Sequence, residues 1–352
     1  MKMSKWCTRL LICIFLMVAV TAKGEEASFF TDSAGRQVKL PATILRIAPS
    51  GQLAQIVLYS LCPDKLIGWA ATPSSALVPY LPEHRRDLPV FGQFYGKNMS
   101  LNLEALIAAK PDVIIDIGER KATIREDMDS IAQQTGIPVI FIEATLDTMP
   151  AAYERLGKLT GTEKEASALS QYAKETVAEA ARLRQMIDAD KQVHVYYAQG
   201  NDGLATDPTG SIHADVIDLV GAVNVADIAM DSGSGMNPVS MEQVLLWQPD
   251  VVLFAKSEAY EAAINDPLWL QLKAEKECRF YDIPGAPYNW LGRPPAVNRL
   301  LGIKWLGNLL YPDVFLYDMT AEVQKFFRLF YHWELRLEEA RELMENSTCL
   351  TR

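Results

Sequence analysis

The sequence predicts an α/β protein of two similar lobes with mostly parallel sheets, joined by one long α-helix and separated by a cleft. Three observations predict it: a motif is written twice, strands alternate with helices on both sides of the middle, and the middle itself, Thr162 to Ile187, holds neither Gly nor Pro. The motif Asn102-Leu-Glu-Ala-Leu-Ile-Ala-Ala-Lys-Pro-Asp-Val-Ile-Ile115 returns 138 residues later as Ser240-Met-Glu-Gln-Val-Leu-Leu-Trp-Gln-Pro-Asp-Val-Val-Leu253. Each copy offers a helix N-cap, a Glu two residues on, about two turns of helix, then Pro-Asp ahead of an apolar strand. Solenoid units recur every ~20–50 residues, so a repeat this widely spaced points to duplication of a whole domain.

The elements follow in order. Lys2, Lys5 and Arg9 precede the apolar run Leu10 to Val20 and the small residues Thr21 and Ala22, which makes residues 1–22 an export signal. The run is short for a membrane span, and cleavage near Ala22 is expected, with retention as an anchor left open. Cys13 follows Ile12 rather than a small residue, so no lipid-attachment box is present. Losing the signal removes three cations and no acids, taking the formal charge from −10 to −13. Such a surface repels nucleic acid, and no basic run interleaved with aromatics appears, so that class is excluded. Cys62, Cys278 and Cys349 then remain, an odd number with no C-x-x-C spacing. They read as small buried hydrophobes plus one tail thiol.

Ile44 to Ala48 reads as a strand ending at Pro49-Ser50-Gly51, and Leu53, Ile56, Val57 and Leu61 recur at helical spacing until Pro63-Asp64. Leu66 to Trp69 and Val113 to Ile117 read as strands, the second followed by Gly118-Glu119-Arg120, a helix to Thr135, a stop at Gly136 and the strand Pro138 to Ile142. Strands alternating with helices mean a mostly parallel sheet. The 26 residues from Thr162 to Ile187 are rich in strong helix formers; at ~1.5 Å per residue they would span ~39 Å, enough to run between lobes. The pattern then restarts with strand Val193 to Tyr197, loop Gln199-Gly200, helix Ala214 to Val220, the second motif and strand Arg279 to Ile283. The loop Gly285 to Pro295 is rich in Pro, Gly and aromatics, and its last prolines suit the opening of helix Ala296 to Leu310. In the tail, Phe326, Phe327, Phe330, Tyr331 and Trp333 are expected to pack a helix onto its own domain. The expected divisions are a signal (1–22), an N-terminal lobe (28–146), a helical linker with the interlobe helix (147–188), a C-terminal lobe (189–312) and a helical tail (313–352).

Leu103-Glu104 with Pro111-Asp112, Met241-Glu242 with Pro249-Asp250, the long helix, Gly221 to Asn224, and Asp266-Pro-Leu-Trp269 leading to Arg279-Phe-Tyr-Asp-Ile-Pro284 carry a resemblance in their order. From about Val38 to Asp313 the chain resembles the periplasmic binding proteins of ABC importers for siderophore-bound iron, haem and vitamin B12. The resemblance implies a rigid interlobe helix, small closure, a ligand held in the cleft, a periplasmic monomer with no cofactor, and no catalysis. It also implies a glutamate on each lobe that docks into basic pockets of the membrane permease, and Glu104 and Glu242 match those positions. Two carboxylates on separate lobes form a two-point ruler that sets orientation and on-rate. A Glu in a first helical turn also suits the macrodipole, for ~0.3–1 kcal/mol.

Ligand contacts are expected from loops at the carboxyl ends of the parallel strands. That nominates Ser50, Gly51, Trp69, Phe94, Tyr95, Glu119, Arg120, Gln199, Tyr288, Trp290 and Arg293. Vitamin B12 binders of the family carry a similar Trp-x-x-Arg, and an aromatic plane beside a guanidinium suits a flat, anionic chelate. The bland reading is a Trp anchoring its loop and an Arg in an ion pair. The expected ligand is an iron-siderophore or related metal chelate. Haem ligation through Tyr95 is disfavoured because Gly92-Gln-Phe-Tyr-Gly-Lys97 departs from the haem carriers' pattern, and cobalamin stays open. His84, His194, His213 and His332 are scattered, which disfavours direct metal binding. An oxyanion such as molybdate or tungstate, held by Arg, Ser and backbone N–H groups, is the alternative within the fold. An exported α/β hydrolase is the alternative outside it, but the nearest approach to Gly-x-Ser-x-Gly, Asp231-Ser-Gly-Ser-Gly235, lacks the first glycine.

Overall fold

The computed structural model describes residues 28–94, 100–229 and 235–345. The expected signal, Tyr95, Cys349 and most of the Asp231–Gly235 string lie outside the described residues. The N-terminal lobe starts with a hairpin of β1 (Ser28–Thr31) and β2 (Gln37–Leu40). Then come β3 (Ile47–Pro49), α1 (Gln52–Leu61), α2 (Glu83–Arg86), α3 (Leu103–Ala108), β4 (Val113–Gly118), α4 (Ile124–Thr135) and β5 (Val139–Glu143). Helices α5 (Met149–Thr160) and α6 (Glu163–Leu183) lead to the second lobe. There β6 (His194–Ala198), β7 (Ala205–Thr206), α7 (Asp215–Leu219), β8 (Val223–Asn224), β9 (Asn237–Pro238), α8 (Met241–Trp247) and β10 (Val251–Phe254) precede α9 (Ser257–Ala263), α10 (Lys273–Lys276) and β11 (Phe280–Asp282). Helices α11 (Asn298–Leu310), α12 (Met319–Phe326) and α13 (Leu337–Glu342) finish the described chain. The two main sheets are parallel throughout, in the orders β3-β4-β5 and β11-β10-β6-β8.

The doubled motif builds the same corner twice. Asn102 Oδ1 accepts from the backbone N–H of Ala105 at 3.0 Å, and Ser240 Oγ from that of Gln243 at 3.2 Å, so both helices are capped by side chain. Lys110 and Gln248, each just before its proline, take left-handed backbone with φ of 47° and 42°. Asp112 then accepts from the N–H groups of Leu45 and Arg46 at 2.8 Å, and Asp250 from that of His194 at 2.9 Å. Each aspartate thereby clamps the entry of the neighbouring parallel strand, β3 or β6. This fixes register where a one-residue slip would turn every side chain to the wrong face.

Side chains alternate across both sheets. Val113, Ile115, Ile140 and Ile142 of one lobe and Val195, Tyr197, Val251 and Leu253 of the other face a single continuous core that includes α5, α6, α11 and the tail. The opposite faces are covered separately: Ile114, Val139 and Phe141 pack with Leu106 of α3, and Tyr196, Val252 and Phe254 pack with Val244 of α8. Helix α6 has 21 residues, shorter than expected because the chain tightens into a 3-10 turn at Arg184–Met186. Its buried Leu169, Tyr172, Ala173, Thr176 and Ala180 recur at helical spacing.

Three expectations are corrected. Leu66 to Trp69 forms no strand: isolated bridges join Ile47 to Leu66 and Trp69 to Val90, and Gly68 lies so close to Phe91 that a Cβ would stand 2.3 Å from its ring. Cys62 is a buried thiol whose pKa is pushed up to about 12 by burial, but Cys278 is exposed, in a left-handed turn after α10. The tail is no single helix and packs on both lobes, with Lys304 of α11 paired to Glu322 of α12 at 2.8 Å. After α12 it widens into a π-helical turn, Phe327–Tyr331, and returns to the N-terminal lobe, where Tyr80 meets Phe327 at 4.9 Å and Tyr153 meets Phe330 at 6.4 Å.

Candidate functional site between the lobes

Gln199, just after β6, and Arg293, in the loop after β11, are brought together as the strand-end argument expects. Gln199 Oε1 accepts from Arg293 Nε at 2.5 Å, and both side chains donate to Asp207 Oδ2 at 2.7 Å. Asp207 is wholly buried and also accepts from Ser211 Oγ at 3.3 Å and the Met236 N–H at 3.2 Å. A buried carboxylate held by several donors aims the guanidinium as a fork. Asp207 carried no sequence signal, because it lies in a short connection between β7 and α7.

His213 hydrogen-bonds through Nδ1 to the Gly292 carbonyl at 2.6 Å. Burial, and then the neighbouring Arg293, push its pKa below the ordinary histidine value. Deeper lies Arg299, in the first turn of α11 and completely buried. Its Nη1 donates to the Ile212 carbonyl at 2.9 Å and to Asp215 Oδ2 at 3.0 Å, while Nε and Nη2 have no hydrogen-bond partner among the described residues. Burial lowers its pKa to about 10. Buried donors without partners carry a desolvation cost of ~1–3 kcal/mol each, so they mark a place where an acceptor belongs. The hydroxyl of Tyr197 is also buried and without a partner among the described residues. Sequence reasoning missed Arg299, since an arginine inside a predicted helix reads as a surface charge.

The N-terminal wall is simpler. Ser50 is buried at the end of β3, and its hydroxyl donates to the buried Asp116 of β4. Gly51 stands half-buried before α1 in extended backbone. Glu119 and Arg120 are exposed after β4. Burial raises the pKa of Asp215, with Glu119 and Asp147 reinforcing the rise across the cleft and Arg299 opposing it. Tyr288 joins the two lobes: its hydroxyl accepts from Gln55 Nε2 of α1 at 3.3 Å, and burial holds its pKa up at about 12.

Two nominated aromatics face inward instead. Trp69 is 1% exposed, donates its indole N–H to the Arg85 carbonyl at 2.9 Å and packs against Tyr59. Trp290 is 0% exposed, donates to the Ala286 carbonyl at 3.0 Å and meets Trp305 edge-on at 6.5 Å. The loop is pulled onto α11, because a Cβ on Gly302 would lie 1.9 Å from the Trp290 carbonyl oxygen. Trp290 is a loop anchor, and the Trp-x-x-Arg pair offers the cleft its arginine alone. Phe94 is 6% exposed and hydrogen-bonds through its N–H to Ser50 O at 3.1 Å. No group of three or more His, Cys, Asp or Glu disposed to hold a metal occurs among the described residues.

Glu104 and Glu242 are both exposed, one residue into α3 and α8. Hydrogen bonds from its own backbone N–H and from Ser240 hold the Glu242 carboxyl below its ordinary pKa.

The chain is similar to known proteins along most of its length. Residues 71–287 match the family model described as "Periplasmic binding protein". The chain is 24% identical over 361 residues to the molybdate-binding protein MolA of Haemophilus influenzae, covering 94% of this chain and 98% of that protein. It is 26% identical over 195 residues to the Fe(3+)-citrate-binding protein YfmC of Bacillus subtilis, covering 53% and 58%. An ABC transporter solute binding protein from Sulfurospirillum deleyianum superposes with a TM-score of 0.83 at 29% identity, over 90% of this chain and 99% of that one. The chain belongs to the periplasmic binding protein family, the solute-binding components that deliver small-molecule ligands to ABC permeases.

Proposed function

We propose that this protein is the exported, monomeric receptor of an ABC importer and that it captures a compact oxyanion of the molybdate class between its lobes. The observation that carries this reading is the C-terminal wall, where Arg293 is fixed by Gln199 and Asp207 and the buried Arg299 keeps Nε and Nη2 unpartnered among the described residues. Each guanidinium is backed by a carboxylate, so the wall supplies oriented N–H donors with little net charge. That suits a small anion held by hydrogen bonds. The likeness to MolA along nearly the whole chain supports the same class. The inward turn of Trp69 and Trp290 takes away two of the aromatic platforms that a flat iron-siderophore, haem or corrinoid would use.

A second reading, a compact ferric chelate such as ferric citrate, is favoured by the likeness to YfmC. In both readings the ligand leaves unchanged, and Glu104 and Glu242 dock the receptor on the permease. The four histidines are engaged separately: Nδ1 of His213 and Nε2 of His332 face backbone carbonyls, His84 accepts from Arg85, and His194 pairs with Asp250.

Calorimetric titration with sodium molybdate, sodium tungstate, sodium sulfate and ferric citrate tests the reading. Molybdate or tungstate should bind, and Arg299→Met should weaken them at least tenfold. Binding of ferric citrate without the oxyanions establishes the second reading, and oxyanion binding untouched by Arg299→Met removes the wall from the site.

A further inference from the structure

We propose that the C-terminal tail positions the cleft loop that carries Arg293, through a buried hydrogen-bond relay from Tyr331 by way of Asn298 and Tyr288 to Gln55. Tyr331 is 2% exposed, and its hydroxyl donates to Asn298 Oδ1 at 2.6 Å. An amide oxygen held in this way turns the amide nitrogen to the opposite side, where Asn298 Nδ2 donates to the Tyr288 carbonyl at 3.0 Å. Asn298 is 0% exposed, so water is no substitute for either partner. At the far end, Gln55 Oε1 accepts from the N–H groups of Ala70 and Ala71 at 2.8 and 3.1 Å, which leaves Nε2 to donate to the Tyr288 hydroxyl. The cleft loop is thus gripped at a backbone carbonyl from the tail side and at a ring hydroxyl from the N-terminal lobe.

The tail is held firmly enough to serve. Phe326 stacks on Phe330 at 4.4 Å, Phe330 meets Tyr172 at 5.3 Å, Trp333 meets Tyr80 at 6.2 Å, and His332 Nε2 lies 3.3 Å from the Tyr59 carbonyl. The π-helical turn at Phe327–Tyr331 widens the helix so that Phe326, Phe327, Phe330 and Tyr331 are all buried together. Besides α6, this tail is a second crossing between the lobes. Tyr288 and Arg293 stand five residues apart in one loop, so fixing the Tyr288 carbonyl sets where the strand of chain leading to Arg293 begins. Tyr331 touches no ligand in this scheme and acts as a positioning residue. The inference rests on the reading that this loop lines the ligand cleft.

Tyr331→Phe deletes one hydroxyl and keeps the ring. Tyr172→Phe is its control, because the Tyr172 hydroxyl is buried in the same aromatic cluster with no hydrogen-bond partner among the described residues. On the full chain, Tyr331→Phe should speed amide hydrogen exchange at residues 285–293 by about fivefold to tenfold, the scale of one net buried hydrogen bond, and weaken sodium molybdate binding by a similar factor. Tyr172→Phe should do neither. Gln55→Met, which breaks the relay at its other end, should give the same local response and keeps the test available if Tyr331→Phe fails to fold. Unchanged exchange in the loop, or a rise spread evenly over α1, α6 and the loop, overturns the relay. If wild-type protein ignores molybdate, the ligand reading fails while the exchange measurement still decides the relay.

Discussion

At the amino ends of their strands the two lobes are copies, and at the carboxyl ends they are not. At the amino ends a side-chain cap, a left-handed residue before proline and an aspartate clamp recur in the same order. At the carboxyl ends the N-terminal lobe offers a buried Ser50–Asp116 pair and the exposed Glu119 and Arg120. The C-terminal lobe offers two guanidiniums fixed by carboxylates, Arg293 by the buried Asp207 and Arg299 by the half-buried Asp215. Duplication preserved what any parallel sheet needs to start in register, while the cleft walls diverged. One wall is preorganised, and preorganised donors bind without the cost of being ordered on contact.

The largest expected effect separates the two cleft arginines. Arg293→Ala strips the buried Asp207 of its cation and should destabilise the protein by about 3–5 kcal/mol in urea unfolding, the range for leaving a buried charge unpaired. Arg120→Ala removes an exposed side chain, and its change should stay within about 0.5 kcal/mol. Equal costs at the two positions would break the asymmetry.

Acid should expose the same wall. The folded pKa of His213 lies below its ordinary 6.5, through burial first, then Arg293 and Arg299, against the Gly292 carbonyl and Asp207. The unfolded chain therefore takes up this proton first. The stability His213 contributes is fully present above pH ~6.5, is lost as pH falls toward the lowered folded value, and changes no further below it. Asp215 and Asp218, raised by burial, act with the opposite sign: their contribution is present at the acid extreme and lost as pH rises through their folded values. Stability followed from pH 8 to 5 should fall less in His213→Asn than in wild type, and identical curves would remove His213 from the wall.

Much of this was legible in the sequence where the cause is local. A cap, a proline and a period-two strand act within a few residues, so Asn102, Ser240 and the two Pro-Asp corners could be read directly. Gln199 and Arg293 were legible because carboxyl strand ends converge in parallel sheets. What escaped was decided by distant neighbours. Trp290 and Arg293 stand three residues apart in one loop, yet the close approach of Gly302 turns the tryptophan inward and leaves the arginine at the cleft. Arg299 was hidden because only tertiary packing shows that a helix is buried on every side: Leu300, Leu301, Ile303 and Lys304 of α11 are buried with it. The tail's aromatics announced packing, but nothing in their spacing said that Phe327 and Trp333 reach Tyr80 of the opposite lobe while Tyr331 bonds Asn298 of α11.

The smallest effect on the isolated molecule belongs to the duplicated ends, and there the comparison meets its partner. Glu104 and Glu242 are exposed at equivalent first turns, so Glu104→Lys with Glu242→Lys should leave ligand affinity unchanged and the fold intact, with only the helix starts disturbed. Transport into proteoliposomes that carry the cognate permease should nevertheless be lost, because a two-point ruler of matched charges has had both of its marks inverted. Each single reversal tests whether the copies remain equivalent outside the fold. Equal losses mean that the permease reads the two lobes alike, and unequal losses mean that it distinguishes them as the ligand does. If transport survives the double reversal, both glutamates are helix-start charges and nothing more, and the doubled motif serves the fold alone.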